Sequence, residues 1–156
     1  RDLAAESSAF AYEYTGYLAN IHSVESYYQA NKDMLDLHKF YSLFTPNQKI
    51  YTKVKNEEPT YYASSSKVAK SQFASGSIIE GEVVQSVLSR NIYVHKDSVV
   101  KDSILFPRVV IGEGAQVEYA ILDKGVEVAD GVVIRGTAEH PVVVKKGETV
   151  TEDIYS

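Results

Sequence analysis

The chain contains no cysteine among its 156 residues. That removes a disulfide framework, a thiolate nucleophile and any cysteine-based zinc site, and it predicts a cytoplasmic address. No apolar run approaches the roughly 20 residues a membrane helix needs; the longest, such as Val142-Val143-Val144, are strand-sized, so no membrane partner is expected. Cations are also scarce, with 16 Lys and Arg against 21 Asp and Glu and a net charge of -5. Phosphate backbones are held by clustered cations, so nucleic acid is not an expected partner either. Arg1-Asp2-Leu3 opens the chain without an initiator methionine and without a charged and then apolar leader, which predicts an excised piece of a longer protein.

What is present has globular proportions, 44% apolar and 24% charged residues. Phe10 to Asn20 is rich in tyrosine around Gly16 and reads as a short strand and turn. Ser23 then caps a helix whose apolar face holds Val24, Tyr27, Tyr28, Met34 and Leu35, leaving Glu25, Gln29, Lys32 and Asp33 to solvent. A second short helix from Leu37 to Phe44 is expected to end at Thr45-Pro46. Residues 50 to 55 read as a strand broken by Asn56-Glu57-Glu58-Pro59, and Ser64-Ser65-Ser66 as a flexible connection. The expected division is 1–49, a strand and helices; 50–66, a linker and lead-in strand; and 67–156, a repetitive domain.

The repetition is a spacing of 17 residues: Ser86-Val87-Leu88, Ser103-Ile104-Leu105 and Ala120-Ile121-Leu122 superimpose. Within each unit aliphatic residues step by 6, 6 and 5, through Leu88, Val94, Val100, Leu105, Ile111, Val117, Leu122, Val128 and Ile134. Val, Ile and Leu supply 38 of 156 residues, about one in four, so nine matches in nine slots are not accident. Two residues earlier stand Ser86, Ile92, Ser98, Ser103, Val109, Ala115, Ala120, Val126 and Val132, small or aliphatic throughout and able to point inward as well. One large and one small inward side chain per six residues is the pattern of a triangular parallel β-helix. Gly112, Gly114, Gly125 and Gly131 fall between strands, where positive φ is expected. Val68 and Ile78-Ile79 suggest an earlier, less regular coil, and Gly136 to Val150 a strand capping the solenoid's end.

The stretch Gly16-Tyr17-Leu18-Ala19-Asn20-Ile21-His22-Ser23, continuing through Tyr27 and Tyr28 to Ala30-Asn31, resembles the end of the catalytic domain of sugar-nucleotide pyrophosphorylases. That segment reads approximately G-Y-W-x-D-V-G-T-x-x-x-Y-x-x-A-N in the family, and a hexapeptide β-helix follows it. Within that family Gln85-Ser86-Val87-Leu88 and Leu105-Phe106-Pro107-Arg108-Val109 are similar to the β-helix motif of ADP-glucose pyrophosphorylases, also called glucose-1-phosphate adenylyltransferases. The resemblance implies a mainly β fold, a left-handed parallel β-helix preceded by a short strand and helices from the end of a nucleotidyltransferase α/β domain. Parallel crossovers are otherwise right-handed, so the hand comes from the resemblance alone.

The departures carry the functional expectation. The family's magnesium-holding Asp is Asn20 here, its Trp is Leu18, and its Gly-Thr pair is His22-Ser23. An amide offers an oxygen but no charge to a hard cation, and phosphoryl-group chemistry depends on a well-held metal. The family's Gly-rich nucleotide loop is absent from these residues. The resemblance therefore implies the regulatory and assembly domain of a non-catalytic ADP-glucose pyrophosphorylase subunit in glycogen biosynthesis. No catalytic residue and no cofactor is expected in this chain, although catalytic relatives use Mg2+. Its expected partners are the catalytic subunit, further copies of itself and a phosphorylated effector.

Of the basic residues Arg90, Lys96, Lys101, Arg108, Arg135, Lys145 and Lys146, Arg108 and then Arg90 are the candidates for holding that effector. Two alternatives remain open. One is the C-terminal domain of a catalytically active sugar-nucleotide pyrophosphorylase, against which Asn20 speaks. The other is a hexapeptide acyltransferase using His95 as general base, which predicts a homotrimer that binds coenzyme A.

Overall fold

The computed structural model describes residues 10–45, 50–52 and 55–156. Among the described residues two helices come first, α1 (Val24–Asp33) and α2 (Leu37–Leu43), followed by seventeen strands of two or three residues each. The first coil of the solenoid comprises β1 (Tyr61–Tyr62), β2 (Lys67–Ala69) and β3 (Gln72–Phe73). The second comprises β4 (Ile78–Ile79), β5 (Glu82–Val84) and β6 (Val87–Leu88). Then follow β7 (Tyr93–Val94), β8 (Val99–Lys101) and β9 (Ile104–Leu105), and above them β10 (Val110–Ile111), β11 (Gln116–Glu118) and β12 (Ala120–Leu122). The fifth coil is β13 (Glu127–Val128), β14 (Val133–Arg135) and β15 (Val142–Val144), and the last is β16 (Thr149–Val150) and β17 (Ile154–Tyr155). Every pairing is parallel and joins a strand to its counterpart one coil away.

Three flat faces result in this left-handed parallel β-helix. Face 1 runs β1-β4-β7-β10-β13-β16, face 2 β2-β5-β8-β11-β14-β17, and face 3 β3-β6-β9-β12-β15. All nine large inward positions and all nine small ones read from the repeat are buried, and most belong to one continuous core. The small positions are more than filler. Ser71, Ser86 and Ser103 form a ladder at the corner between faces 2 and 3: Ser86 Oγ donates to Val84 O (2.8 Å) and accepts from Ser103 N (3.1 Å). Ser103 Oγ in turn donates to Lys101 O (2.7 Å) and accepts from Ala120 N (3.1 Å). Each serine follows a residue at positive φ, namely Lys70, Gln85 and Asp102, so the hydroxyl satisfies backbone groups that the sharp turn takes out of the ladder.

The structure departs from the sequence reading in several places. Phe10 to Asn20 forms no strand, and neither do residues 50–52 and 55; residues 53 and 54, like Pro46, lie outside the described residues. Ser64 to Ser66 is a solenoid corner in which Ser65 Oγ donates to Glu80 O (2.8 Å) and Ser66 Oγ to Ala63 O (2.8 Å). Residues 136 to 150 do not cap the column. Gly136 to Pro141 loops outward at a corner, and β15 then rejoins face 3 by pairing with β12, so the segment adds one more coil. Lys32 and Asp33 are not solvated: their side chains are 14% and 15% exposed and pair with Asp102 and Lys39. Gly114, Gly125 and Gly131 have positive φ as expected, but Gly112 does not. A Cβ on Gly112 would lie 2.5 Å from Asp130 Oδ1 and 2.7 Å from the backbone of the coil above, so close stacking requires that glycine.

Candidate functional site: the helix junction and the basic corner

Helix α1 lies across the outer surface of face 3. Ser23 caps it and forms a reciprocal capping box with Ser26, which fixes where the chain turns onto the solenoid. Ile104 and Ile121 point outward from β9 and β12, and Tyr28 is buried against them with Tyr27, Phe106 and Tyr119 around the edge. Tyr27 and Phe106 stack at 6.3 Å and 22°. The polar side of α1 is anchored as firmly. Tyr28 Oη donates to Asp102 O (2.6 Å), Lys32 Nζ pairs with Asp102 Oδ1 (2.7 Å), and Lys32 also donates to Gln85 O. Both backbone acceptors belong to the positive-φ corner, so the helix is bolted to the corner's strained residues Gln85 and Asp102. Burial, reinforced by the Asp102 charge, pushes the Tyr28 phenol well above its usual value.

The helix covers only part of face 3. An apolar cleft of about 550 Å³ remains at its N-terminal end, lined among others by Ile21, Val24, Tyr27, Phe106, Ile121 and Val143. Val24 and Val143 are 43% and 50% exposed there, although the helical pattern assigned Val24 to a packed face. At the other end of α1, Asp33 gathers Tyr17 Oη (3.1 Å), Gln29 Nε2 (3.0 Å) and Lys39 Nζ (2.6 Å) and so ties α2 and the preceding segment to α1. Burial raises the Asp33 carboxyl, but these hydrogen bonds outweigh it and hold its pKa below the ordinary value.

Asn20 lies on the exposed segment ahead of α1, and its backbone oxygen is 3.2 Å from His22 Nδ1. No group of three or more His, Cys, Asp or Glu side chains able to hold a metal occurs among the described residues. A divalent cation such as magnesium requires several oxygen ligands and compensating charge, and the residues around Asn20 do not fit one.

Arg90 and Arg108 come together at the corner between faces 3 and 1. Arg108 N donates to Arg90 O (3.0 Å), Arg108 sits at φ 64° and is exposed, and Arg90 Nε lies 3.4 Å from Glu57 Oε2. The same corner carries Lys124, Lys145 and Lys146 on the coils above, through the bonds Gly125 N to Pro107 O and Gly147 N to Lys124 O (both 3.0 Å). Lys101 and Arg135 belong elsewhere: on face 2 they pair with Glu82 (3.3 Å) and Glu118 (2.9 Å). His95 stacks on Tyr93 at 3.9 Å, with Nδ1 4.0 Å from Glu80 Oε2, at the opposite corner of face 1. Sequence reasoning missed Lys124 at the basic corner and Tyr28, Lys32 and Asp102 at the junction. The 17-residue step from Pro107 leads to Lys124, but no periodicity links α1 to a corner seventy residues later.

Comparison with known proteins agrees with this architecture. Residues 53–153 match the family described as GlmU-like, C-terminal hexapeptide. The chain is 41% identical over 145 residues to glycogen biosynthesis protein GlgD of Bacillus subtilis (strain 168), covering 91% of this chain and 42% of that protein. It is 36% identical over 125 residues to the glucose-1-phosphate adenylyltransferase of Bacillus mycoides (strain KBAB4), covering 80% of this chain and 33% of the relative. The enzyme of the same name from Bacillus cytotoxicus is 34% identical over 140 residues, covering 90% and 37%. The chain thus spans less than half the length of these relatives.

Proposed function

The chain belongs to the GlmU-like C-terminal hexapeptide family and, within it, to the group formed by glycogen biosynthesis protein GlgD and the glucose-1-phosphate adenylyltransferases; from that membership we propose that it is the regulatory and assembly domain of an ADP-glucose pyrophosphorylase subunit in glycogen biosynthesis. The observation that carries the reading is Asn20: the segment resembling the metal-holding end of the catalytic domain has an amide where the carboxylate is expected. The division proposed is a catalytic-domain remnant over 1–49, a lead-in over 50–66 and the β-helix over 67–156. The subunit works in the cytoplasm and acts on a catalytic partner, which uses magnesium, without turning over substrate itself.

The junction supplies a route for that action. Helix α1 is the element through which anything ahead of it in the chain is coupled to the column, because Tyr28 and Lys32 hold it to corner residues Gln85 and Asp102. A phosphorylated effector is held at the basic corner by Arg108 and Arg90, whose planar, permanently charged groups match phosphate oxygens. The test is the effector response of the catalytic partner in complex with the whole subunit, measured with wild type and with Arg90→Ala/Arg108→Ala. The reading expects the variant complex to assemble and lose most of the response; an unchanged response removes these two residues from the role. The second reading, an active pyrophosphorylase, draws on the 34–36% identity to glucose-1-phosphate adenylyltransferases; activity of the whole subunit alone would favour it.

A further inference from the structure

Face 1 is bordered by opposite charges on its two sides, coil by coil. At its leading corner stand Arg90 before β7, Arg108 before β10, Lys124 before β13 and Lys146 before β16. At its trailing corner stand Asp97 after β7, Glu113 after β10, Asp130 after β13 and Glu152 after β16. Four successive strands are thus each bracketed by a cation and an anion. The exceptions are few: Glu57 beside Arg90 and Asp123 and Glu148 on the basic side, and Lys96 on the acidic side. Between the corners, the outward row Tyr61, Ile78, Tyr93 and Val110 forms an apolar stripe over the first four coils, with Tyr61 62% and Ile78 40% exposed, and the row continues as Glu127 and Thr149.

The other two faces differ. Face 3 is partly covered by α1, and face 2 satisfies its charges internally through Lys101–Glu82 and Arg135–Glu118. Among the described residues no segment covers the middle of face 1.

We propose that face 1 is a self-complementary docking surface for a second copy of this chain, the two columns lying side by side and parallel about a two-fold axis along the solenoid. The charge pattern selects that symmetry. Rotation about an axis parallel to the column lays the basic corner of one copy along the acidic corner of the other at the same coil, so Arg108 meets Glu113, Lys124 meets Asp130 and Lys146 meets Glu152. Rotation about the strand direction would instead set cations against cations and anions against anions. The apolar stripe meets its own image on the axis, as an isologous interface requires. Glu127 meets its own image there too and must turn outward, which its exposure allows. Six strands at about 4.8 Å spacing and about 18 Å across give roughly 500 Å² per copy. Twice that area is at the low end for specific complexes, so the dimer is weak and, with charges at its rim, salt-sensitive. The biological use of this contact rests on the assembly role proposed above.

The test uses two surface variants, Lys124→Glu/Lys146→Glu, acidic at both corners, and Asp130→Lys/Glu152→Lys, which places lysines opposite the two new glutamates. Sedimentation equilibrium at tens of micromolar and low salt should give dimers for wild type, monomers for each variant alone, and dimers again, with an affinity within about tenfold of wild type, for an equimolar mixture. Raising the salt concentration should dissociate the wild type and the mixture alike. Variants that still dimerise alone would assign association to another surface. Monomers throughout, in wild type and mixture, would overturn the proposal and leave face 1 to a different chain or another segment. Neither failure touches the regulatory reading, which is measured as a rate.

Discussion

Lys32 on α1 and Asp102 at a corner of the solenoid, seventy positions apart in the chain, form an ion pair of 2.7 Å with only 14% and 20% of their side chains exposed. Beside it Tyr28 donates to the backbone of the same Asp102. The helix is thereby held to the column by charge and by burial at one point.

Replacing Lys32 by Met keeps much of the stem's volume but leaves the half-buried Asp102 carboxylate without its partner, a loss of about 1.5–3 kcal/mol. Tyr28→Phe, which deletes only the hydroxyl, should lose about 0.5–1.5 kcal/mol. Hydrogen exchange on α1 reads both: its amides should lose protection while those of β10 to β12 keep theirs. Equal loss along the whole column would mean that the helix and the solenoid unfold as one unit.

The serine ladder predicts a different response. Ser103→Ala removes the acceptor of the buried Ala120 N–H and should cost about 1–3 kcal/mol in urea unfolding. Ser71→Ala, at the half-buried lower end, should cost less. Comparable costs at the two sites would show that the ladder's buried position does not matter.

Two neighbouring glycines should respond to alanine for different reasons. Gly112→Ala drives a methyl group into the backbone of the next coil and should cost about 1–3 kcal/mol or more, as overpacking does. Gly114→Ala meets open space and suffers only its positive φ, about 1 kcal/mol. The melting temperatures of the two variants decide the order.

Stability should fall at both ends of the pH scale, and α1 is the element involved. Asp33 has a folded pKa below its unfolded value, so its contribution is full above about pH 4 and is lost as pH falls through the folded pKa. Tyr28 has a folded pKa raised by burial, so its contribution is full below about pH 10 and is lost as pH rises from there toward the folded pKa. Ultraviolet titration of Tyr28→Phe against wild type should show one phenol fewer ionising late. If the missing phenol is among those ionising near the ordinary value, Tyr28 is not buried as described.

The column was legible in the sequence because a β-helix repeats one physical constraint. Each inward slot admits only an aliphatic or small side chain, so Leu88 through Ile134 announced both the coil and its register. The helices were legible through local signals, Ser23 and the proline after α2. What was not legible was contact between the two parts. Lys32 reads as a solvated residue because its partner lies in another repeat, and Val24 reads as packed because the helical pattern does not reveal that face 3 is only partly covered. The capping strand expected at Gly136 to Val150 failed because a loop of extra residues hides the return of Val142 to the repeat. The sequence singles out Arg90 and Arg108 one by one; the structure makes them part of a corner that includes Lys124 and Lys146.

Regulation through a catalytic partner is read out by the initial rate of ADP-glucose formation with magnesium, for the whole subunit alone and mixed with that partner. A regulatory subunit should show no turnover alone and should change the partner's rate or effector response in the mixture. Full activity of the subunit by itself would contradict it, and would make Asn20 an ordinary turn residue rather than a lost ligand.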